Sequence, residues 1–262
     1  MTTMGTHMGE KKERTAVVTG AGRERSIGRQ VARTLAVNGW SLALFDIEAN
    51  EVRTFADQLA QETGQQVLGF GVDITDQASV EAAFIQIDQL LPQVVANVNL
   101  AGIPSPTPFF EITDEIFTRV MDVNAKGTLF MMQAAARRMI EHGAGGRIVN
   151  TASITAFDGG GTFSKTAYAA AKAAVLGLTR GGARELGPYG ITCNAIIPGP
   201  IDTDIMGGTL SDERKAVISA DVPLQRVGQP HEVAGLINFL VSDDSSFVNG
   251  ASISVDGGKY MM

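Results

Sequence analysis

Ala16-Val17-Val18-Thr19-Gly20-Ala21-Gly22 and, after three more residues, Ser26-Ile27-Gly28 form the stretch that decides the fold. Its first four residues are small or β-branched and read as a buried strand ending at a glycine turn. Beyond the turn, apolar residues fall at Ile27, Val31, Leu35 and Ala36, a helical spacing that runs to Asn38 and is closed by Gly39. A strand feeding a helix through glycines leaves the helix's free N–H groups and positive dipole end at the strand's C-terminal edge. Such an end can hold a pyrophosphate, and glycine lets the backbone approach it closely. Any strand-to-helix turn can use glycine, so the turn alone does not separate a binding site from a plain connection. Its place after the first strand of a βα repeat is where dinucleotide sites form.

The same alternation continues along the chain. Ser41 to Phe45, Val67 to Gly71, Val94 to Leu100, Arg147 to Thr151, Ile191 to Ile197 and Ser252 to Val255 read as six further strands. Helical spacing fills the gaps: Ala49 to Gln61, a helix capped by Asp76 through Val80, Phe84 and Ile87, and the long stretch Thr166 to Leu186. Thr113 is read as the cap of a helix reaching toward Asn124, with a second helical stretch to about Glu141. Pro230 suits a first helical turn ahead of Val233, Leu236, Ile237 and Leu240. Strands alternating with helices need crossover connections. The expected fold is therefore α/β and doubly wound, a mostly parallel seven-stranded sheet with helices on both faces. No linker or composition shift divides it, so residues 13–262 are expected to form one domain. Residues 1–12, polar and rich in Gly and Met, are expected to be a disordered tail.

Composition narrows the function classes. Of 262 residues, 44% are hydrophobic and 19% charged, the balance of an ordinary globular chain. The net charge of −7, without a run of Lys or Arg, argues against nucleic acid and anionic membranes as partners. Cys193 is the sole cysteine, which excludes an intrachain disulfide and suits a reducing cytoplasm. His7, His142 and His231 are scattered, so no metal site is expected. No apolar run approaches the length of a membrane span.

Several side chains could carry chemistry. Asp46 ends the second strand, where a carboxylate can accept from adenosine ribose hydroxyls and repel a 2′-phosphate, or simply start a turn. Arg23 and Arg25 pull the other way, since a guanidinium could pair with that phosphate. The charge balance favours NAD over NADP. Asp73 after the third strand could accept from an adenine amino group or begin a loop. Tyr168-Ala169-Ala170-Ala171-Lys172 puts a phenol and an ammonium on one helix face. A cation close to the phenol is expected to lower its ordinary pKa of about 10, making it a usable acid and base. The plainer alternative is an amphipathic helix with a snorkelling lysine. Ser153 follows a strand's C-terminal end, where a hydroxyl can hold a substrate oxygen or merely occupy a loop.

Taken in order, these pieces resemble the single-domain short-chain dehydrogenases/reductases, with a Rossmann-type fold, from about Thr15 to the end. The resemblance rests on the glycine-rich turn, Asn99-Leu100-Ala101-Gly102, Val123-Asn124, Ser153, the Tyr168/Lys172 pair, Asn194-Ala195-Ile196-Ile197-Pro198-Gly199, Thr203 and Val255-Asp256-Gly257-Gly258. It implies that Tyr168 passes the proton, Lys172 binds the nicotinamide ribose, Ser153 positions the substrate oxygen and Asn124 holds a water linked to Lys172. It further implies cofactor contacts from Gly20, Arg23, Ser26, Ile27, Gly28, Asp46, Asp73, Ile74, Asn99, Ala101, Gly102, Pro198, Gly199, Ile201 and Thr203. A substrate lid over about 204–224 and a homotetramer are implied as well. The chain departs from the family pattern in a turn about two residues longer with Ser26 for the middle glycine, and in Leu100 for the second Asn of the usual Asn-Asn-Ala-Gly. It departs again in a spacing of 15 residues from Ser153 to Tyr168, about two more than usual, across Gly159-Gly160-Gly161. The longer turn is similar to that of enoyl reductases, whereas the three-residue gap between Tyr168 and Lys172 points to alcohol/ketone chemistry.

The expected activity is hydride transfer between NAD and a secondary alcohol or ketone, on a polar hydroxy compound such as a sugar or polyol. Asp158, Thr162, Ser164 and Lys165 near the site favour a polar substrate. The alternatives are a 3-oxoacyl thioester or ketone reductase, using either cofactor, with Phe109, Phe110 and Met206 lining an apolar pocket, and a non-catalytic dinucleotide-binding scaffold.

Overall fold

A computed structural model describes residues 13–161, 163–204 and 211–261. Seven strands, β1 (Thr15–Thr19), β2 (Ser41–Asp46), β3 (Val67–Gly71), β4 (Val94–Asn99), β5 (Gly146–Thr151), β6 (Ile191–Pro198) and β7 (Ser252–Val255), form one sheet ordered β3-β2-β1-β4-β5-β6-β7. Every pairing is parallel, so the sheet is wholly rather than mostly parallel. Strand alternation splits the core. Ala16, Val18, Leu42 and Leu44 meet α1 (Ile27–Val37), α2 (Ala49–Thr63) and α9 (Pro230–Val241) on one face. Val17, Ala43 and Phe45 meet α3 (Gln77–Leu90), α5 (Gly127–His142) and α7 (Thr166–Leu186) on the other. Burial on both faces is why these strands read as continuous apolar runs.

The remaining helices are α4 (Asp114–Met121), α6 (Thr155–Asp158) and α8 (Asp212–Ser219). The helix expected from Thr113 to Asn124 is shorter: Thr113 caps α4 as foreseen, but α4 ends at Met121 and a π-helical turn spans Asp122–Lys126 before α5. There the Gly127 N–H reaches back to the Asp122 carbonyl. That turn carries Asn124 and re-aims its side chain. Strand order reverses between β1 and β4, so the crevice outside their C-terminal ends is the topological switch point of the sheet. The expected tail, Thr162, Met206 and part of the expected lid lie outside the described residues.

Candidate active site

The glycine-rich turn lies in that crevice. Gly20 has φ +75°, and a β-carbon on it would stand 3.0 Å from the Ala101 nitrogen. Thr19 Oγ1 accepts from Leu100 N and Ala101 N, both at 2.9 Å, tying the ends of β1 and β4 together. A β-carbon on Gly28 would collide with the Gly20 carbonyl oxygen, so only glycine lets α1 start this close to the turn. Ser26 caps α1 by accepting from Arg29 N at 3.1 Å. The substitution of Ser26 for a family glycine thus serves the helix start.

A cleft of about 1010 Å³ opens above the turn. Of the candidate cofactor residues, Gly20, Arg23, Ser26, Ile27, Gly28, Asp46, Asp73, Ile74, Ala101, Gly102 and Thr203 line it. Asp46 Oδ2 accepts from Gly22 N at 2.7 Å and Oδ1 from Glu48 N at 3.1 Å, which fixes the carboxylate beside the turn. Asp73 accepts from the Thr75 backbone and hydroxyl. Sequence reasoning missed Glu48, Val72, Thr118, Arg119 and Asp122, which also line the cleft. Glu48, two residues past Asp46, had a positional signal; the α4 residues reach the mouth by tertiary packing alone.

Other candidates sit elsewhere. Asn99 is buried, its amide donating to Asn97 Oδ1 (2.9 Å) and Asn150 Oδ1 (2.8 Å), so its side chain knits β4 to β5 rather than lining the cleft. Pro198, Gly199 and Ile201 are also outside the lining. Gly199 gives close passage to Asp256 at the end of β7, and Ile201 packs into the core. Arg25 is not available for a 2′-phosphate as expected: its guanidinium holds the buried Asp202 at 2.5 Å, while its backbone N–H donates to Asp204. Lys215 of α8 reaches the same Asp202 at 3.1 Å. Phe109 and Phe110 are not in the cleft lining; they stack edge-on to each other, Phe110 wholly exposed.

Asn124, Ser153, Tyr168 and Lys172 are not in the cleft lining; Asn124 and Lys172 lie behind Gly102, which is part of it. Lys172 is buried, its Nζ donating to Thr151 O at 2.8 Å and lying 5.5 Å from the centre of the Tyr168 ring. A β-carbon on Gly102 would be 2.6 Å from Asn124 Oδ1 and 3.5 Å from Lys172 Nζ, so these two polar atoms face one small space. Asn124 donates to Ile103 O (3.0 Å) and Val120 O (2.9 Å), while its Oδ1 is buried without a partner. That orphaned acceptor beside an ammonium, together with glycines that leave room for a ligand, fits a polar guest. Ser153 favours the ionised form of the Tyr168 phenol.

Tyr168 does not have the lowered pKa expected from its lysine neighbour. Burial pushes the Tyr168 phenol up to about 12, and the Ser153 hydroxyl only partly offsets this. Burial also brings Lys172 down to about 8. Desolvation dominates at both groups, because each charged form loses its water on burial.

Among the described residues no group of three metal-ligating side chains occurs, and no helix is long and apolar enough to cross a membrane. A family described as enoyl-(acyl carrier protein) reductase matches residues 20–259. The chain is 40% identical over 253 residues to an L-rhamnose 1-dehydrogenase (NAD(P)(+)) of Azotobacter vinelandii, covering 95% of this chain and 97% of that protein. It is 34% identical over 258 residues to a sorbitol dehydrogenase of Cereibacter sphaeroides, covering 95% and 98%. Among solved structures it resembles a blue fluorescent protein from a metagenomic library in complex with NADPH. That match has a TM-score of 0.85 and 37% identity, covering 95% of this chain and 99% of the other.

Proposed function

The chain belongs to the short-chain dehydrogenase/reductase family and is an oxidoreductase of CH–OH groups, and on that premise we propose that it oxidises a sugar or polyol with NAD. The family's cofactors are NAD and NADP; the preference for NAD is supported by Asp46, held beside Gly22 with Glu48 two residues on. Gly20, Arg23, Ser26, Ile27 and Gly28 would hold the pyrophosphate, Asp46 the adenosine ribose, and Asp73 and Ile74 the adenine. Ala101, Gly102 and Lys172 would face the inner ribose, with Thr203 near the carboxamide. Bound there, the oxidised nicotinamide supplies a hydride-accepting carbon and a positive charge.

The observation that carries this proposal is that Asn124 Oδ1 and Lys172 Nζ lie directly behind Gly102, a residue lining the glycine-turn cleft, with the Tyr168 ring beside Lys172. Tyr168 would take the proton from the substrate hydroxyl as its carbon gives up a hydride, leaving a carbonyl. Ser153 would hold the reacting oxygen, and Lys172 would stabilise the phenolate. Asn124 Oδ1 would hold a water against Lys172. The sugar and polyol class is supported by the relatives' substrates and by polar Asp158 and Ser164 near the site. Purified protein should reduce NAD when given a panel of sugars and polyols, read as reduced-cofactor absorbance. Turnover with NADP alone would overturn the cofactor half of this proposal.

A second reading is reduction of the ketone of a 3-oxoacyl thioester, which shares the acyl-thioester substrate class named in the matching family's description. It requires faster ketone reduction than alcohol oxidation on a thioester panel. We further propose that residues 13–262 act as one catalytic domain, that the protein works in the cytoplasm, and that it assembles as a homotetramer. The fully exposed Phe110 and Phe247 support assembly, and light scattering in solution tests it.

A further inference from the structure

The segment between Ser153 and Tyr168 folds back on itself. Gly160 has φ +90°, and a β-carbon there would collide with the Ser164 carbonyl oxygen, which accepts from Gly161 N at 2.8 Å. That closure sets Ser164 Oγ 3.2 Å from Thr155 Oγ1, with either atom able to donate. Thr155 is buried and joined twice to Ser153. Ser153 Oγ donates to Thr155 Oγ1 at 3.1 Å, and the Thr155 N–H donates to Ser153 Oγ at 3.2 Å. Three hydroxyls thus run in one line, Ser153, Thr155 and Ser164, and its Ser153 end is the group that favours ionised Tyr168.

Resting on the roles proposed above for Tyr168 and Ser153, we infer that Thr155 and Ser164 are positioning residues that let Ser153 exchange donor for acceptor. With Tyr168 neutral, its hydroxyl donates to Ser153, Ser153 to Thr155, and Thr155 to Ser164. When Tyr168 is a phenolate, the three aliphatic hydroxyls turn together: Ser164 donates to Thr155, Thr155 to Ser153, and Ser153 to the phenolate oxygen. Each hydroxyl keeps its one proton throughout, and no covalent bond forms or breaks. A lone serine would have to give up one of these partners, at the cost of an unpaired buried hydroxyl. The bond to the phenolate is charge-assisted, so the line as a whole favours ionised Tyr168.

Tyr168 packs against an apolar cluster of Val120, Ala167 and Ala171, to which Ile103, Ile112 and Met121 also pack. The ionisable neighbour is Lys172 on the same helix.

The test is Thr155→Val, which keeps shape and backbone N–H but removes the hydroxyl. Alcohol oxidation needs the phenolate, so losing the donor line moves the rise of kcat with pH to higher pH by about one pH unit. At neutral pH kcat should fall about tenfold, with KM and NAD affinity unchanged. Thr155→Ser should restore both, and Ser164→Ala should act in the same direction but less. In a Ser153→Ala background, Thr155→Val should add nothing. A parental pH profile in Thr155→Val, or a full additive loss on Ser153→Ala, overturns the inference. Should Thr155→Val fail to fold, Ser164→Ala decides alone, and an unshifted profile there overturns it. Tyr168→Phe, measured alongside, separates the layers: if it is inactive, only the roles of Thr155 and Ser164 fall. If it is fully active, the underlying assignment falls instead.

Discussion

The glycine-rich turn and the segment from Ser153 to Tyr168 each exceed the family pattern by about two residues, yet they are held by opposite means. The turn is held by charge: Arg25 locks onto the buried Asp202, which Lys215 also reaches, and Arg29 donates to the Ala21 and Gly22 carbonyls. The second segment is held mainly by neutral hydroxyls and backbone, with Gly160 and Gly161 closing the loop and Asp158 Oδ1 accepting from Gly160 N as its one carboxylate hydrogen bond among the described residues. The difference follows from what each must hold. A pyrophosphate site gains from fixed charge nearby. Around the group that changes protonation, the charge beside the ring is left to Lys172, while Ser153 is oriented by neutral dipoles.

Substitutions can break this comparison, and the largest effect is expected at the neutral end. Tyr168→Phe should lower turnover by about 10²–10⁴-fold while NAD affinity, measured by titration calorimetry, stays the same. Lys172→Met should also abolish turnover but make the protein more stable. The lysine's folded value of about 8 lies below its ordinary 10.5, so its buried charge costs stability at neutral pH. Between those values the unfolded chain binds more protons, and parental stability rises with pH. The gain of Lys172→Met should therefore be about 2–3 kcal/mol below pH 8 and vanish by about pH 10.5, as urea melts at several pH values will show. Equal stability at pH 7 would mean that the ammonium is not desolvated.

The charged end should respond in binding and stability rather than in chemistry. Asp202→Ala removes the carboxylate shared by Arg25 and Lys215, at a cost of about 1–3 kcal/mol given that both cations are partly exposed. Weaker NAD binding with kcat nearly intact is expected, and a kcat loss with unchanged affinity would reverse the contrast. Smallest is Asp46→Ala, expected to shift the NADP-to-NAD preference by about tenfold, or about 1.4 kcal/mol, in paired kinetic assays.

Much of the fold was readable because burial on both faces writes strands as apolar runs. β3, β7 and α7 lie at the bounds their periodicity indicates, and Asp76, Thr113 and Pro230 start their helices as capping chemistry requires. The π-helical turn at Asp122–Lys126 was not readable, because it depends on Asn124 being drawn to the Ile103 and Val120 carbonyls. At the site, the βα turn and the Tyr168/Lys172 pair are local patterns. The pairing of Arg25 with Asp202 spans 177 residues, and Asn99 turns inward because Asn97 and Asn150 await it there. Neither has a local signal. The raised Tyr168 pKa has no local signal either, because sequence shows the neighbouring charge but not the desolvation of a buried phenol.

Hydride transfer itself is tested most directly with sugars and polyols deuterated at the carbinol carbon. Incubated with NAD and this protein, they should yield reduced cofactor that carries the deuterium, and Tyr168→Phe should yield none. Deuterium released to water, or no labelled cofactor from any member of the panel, would contradict the account.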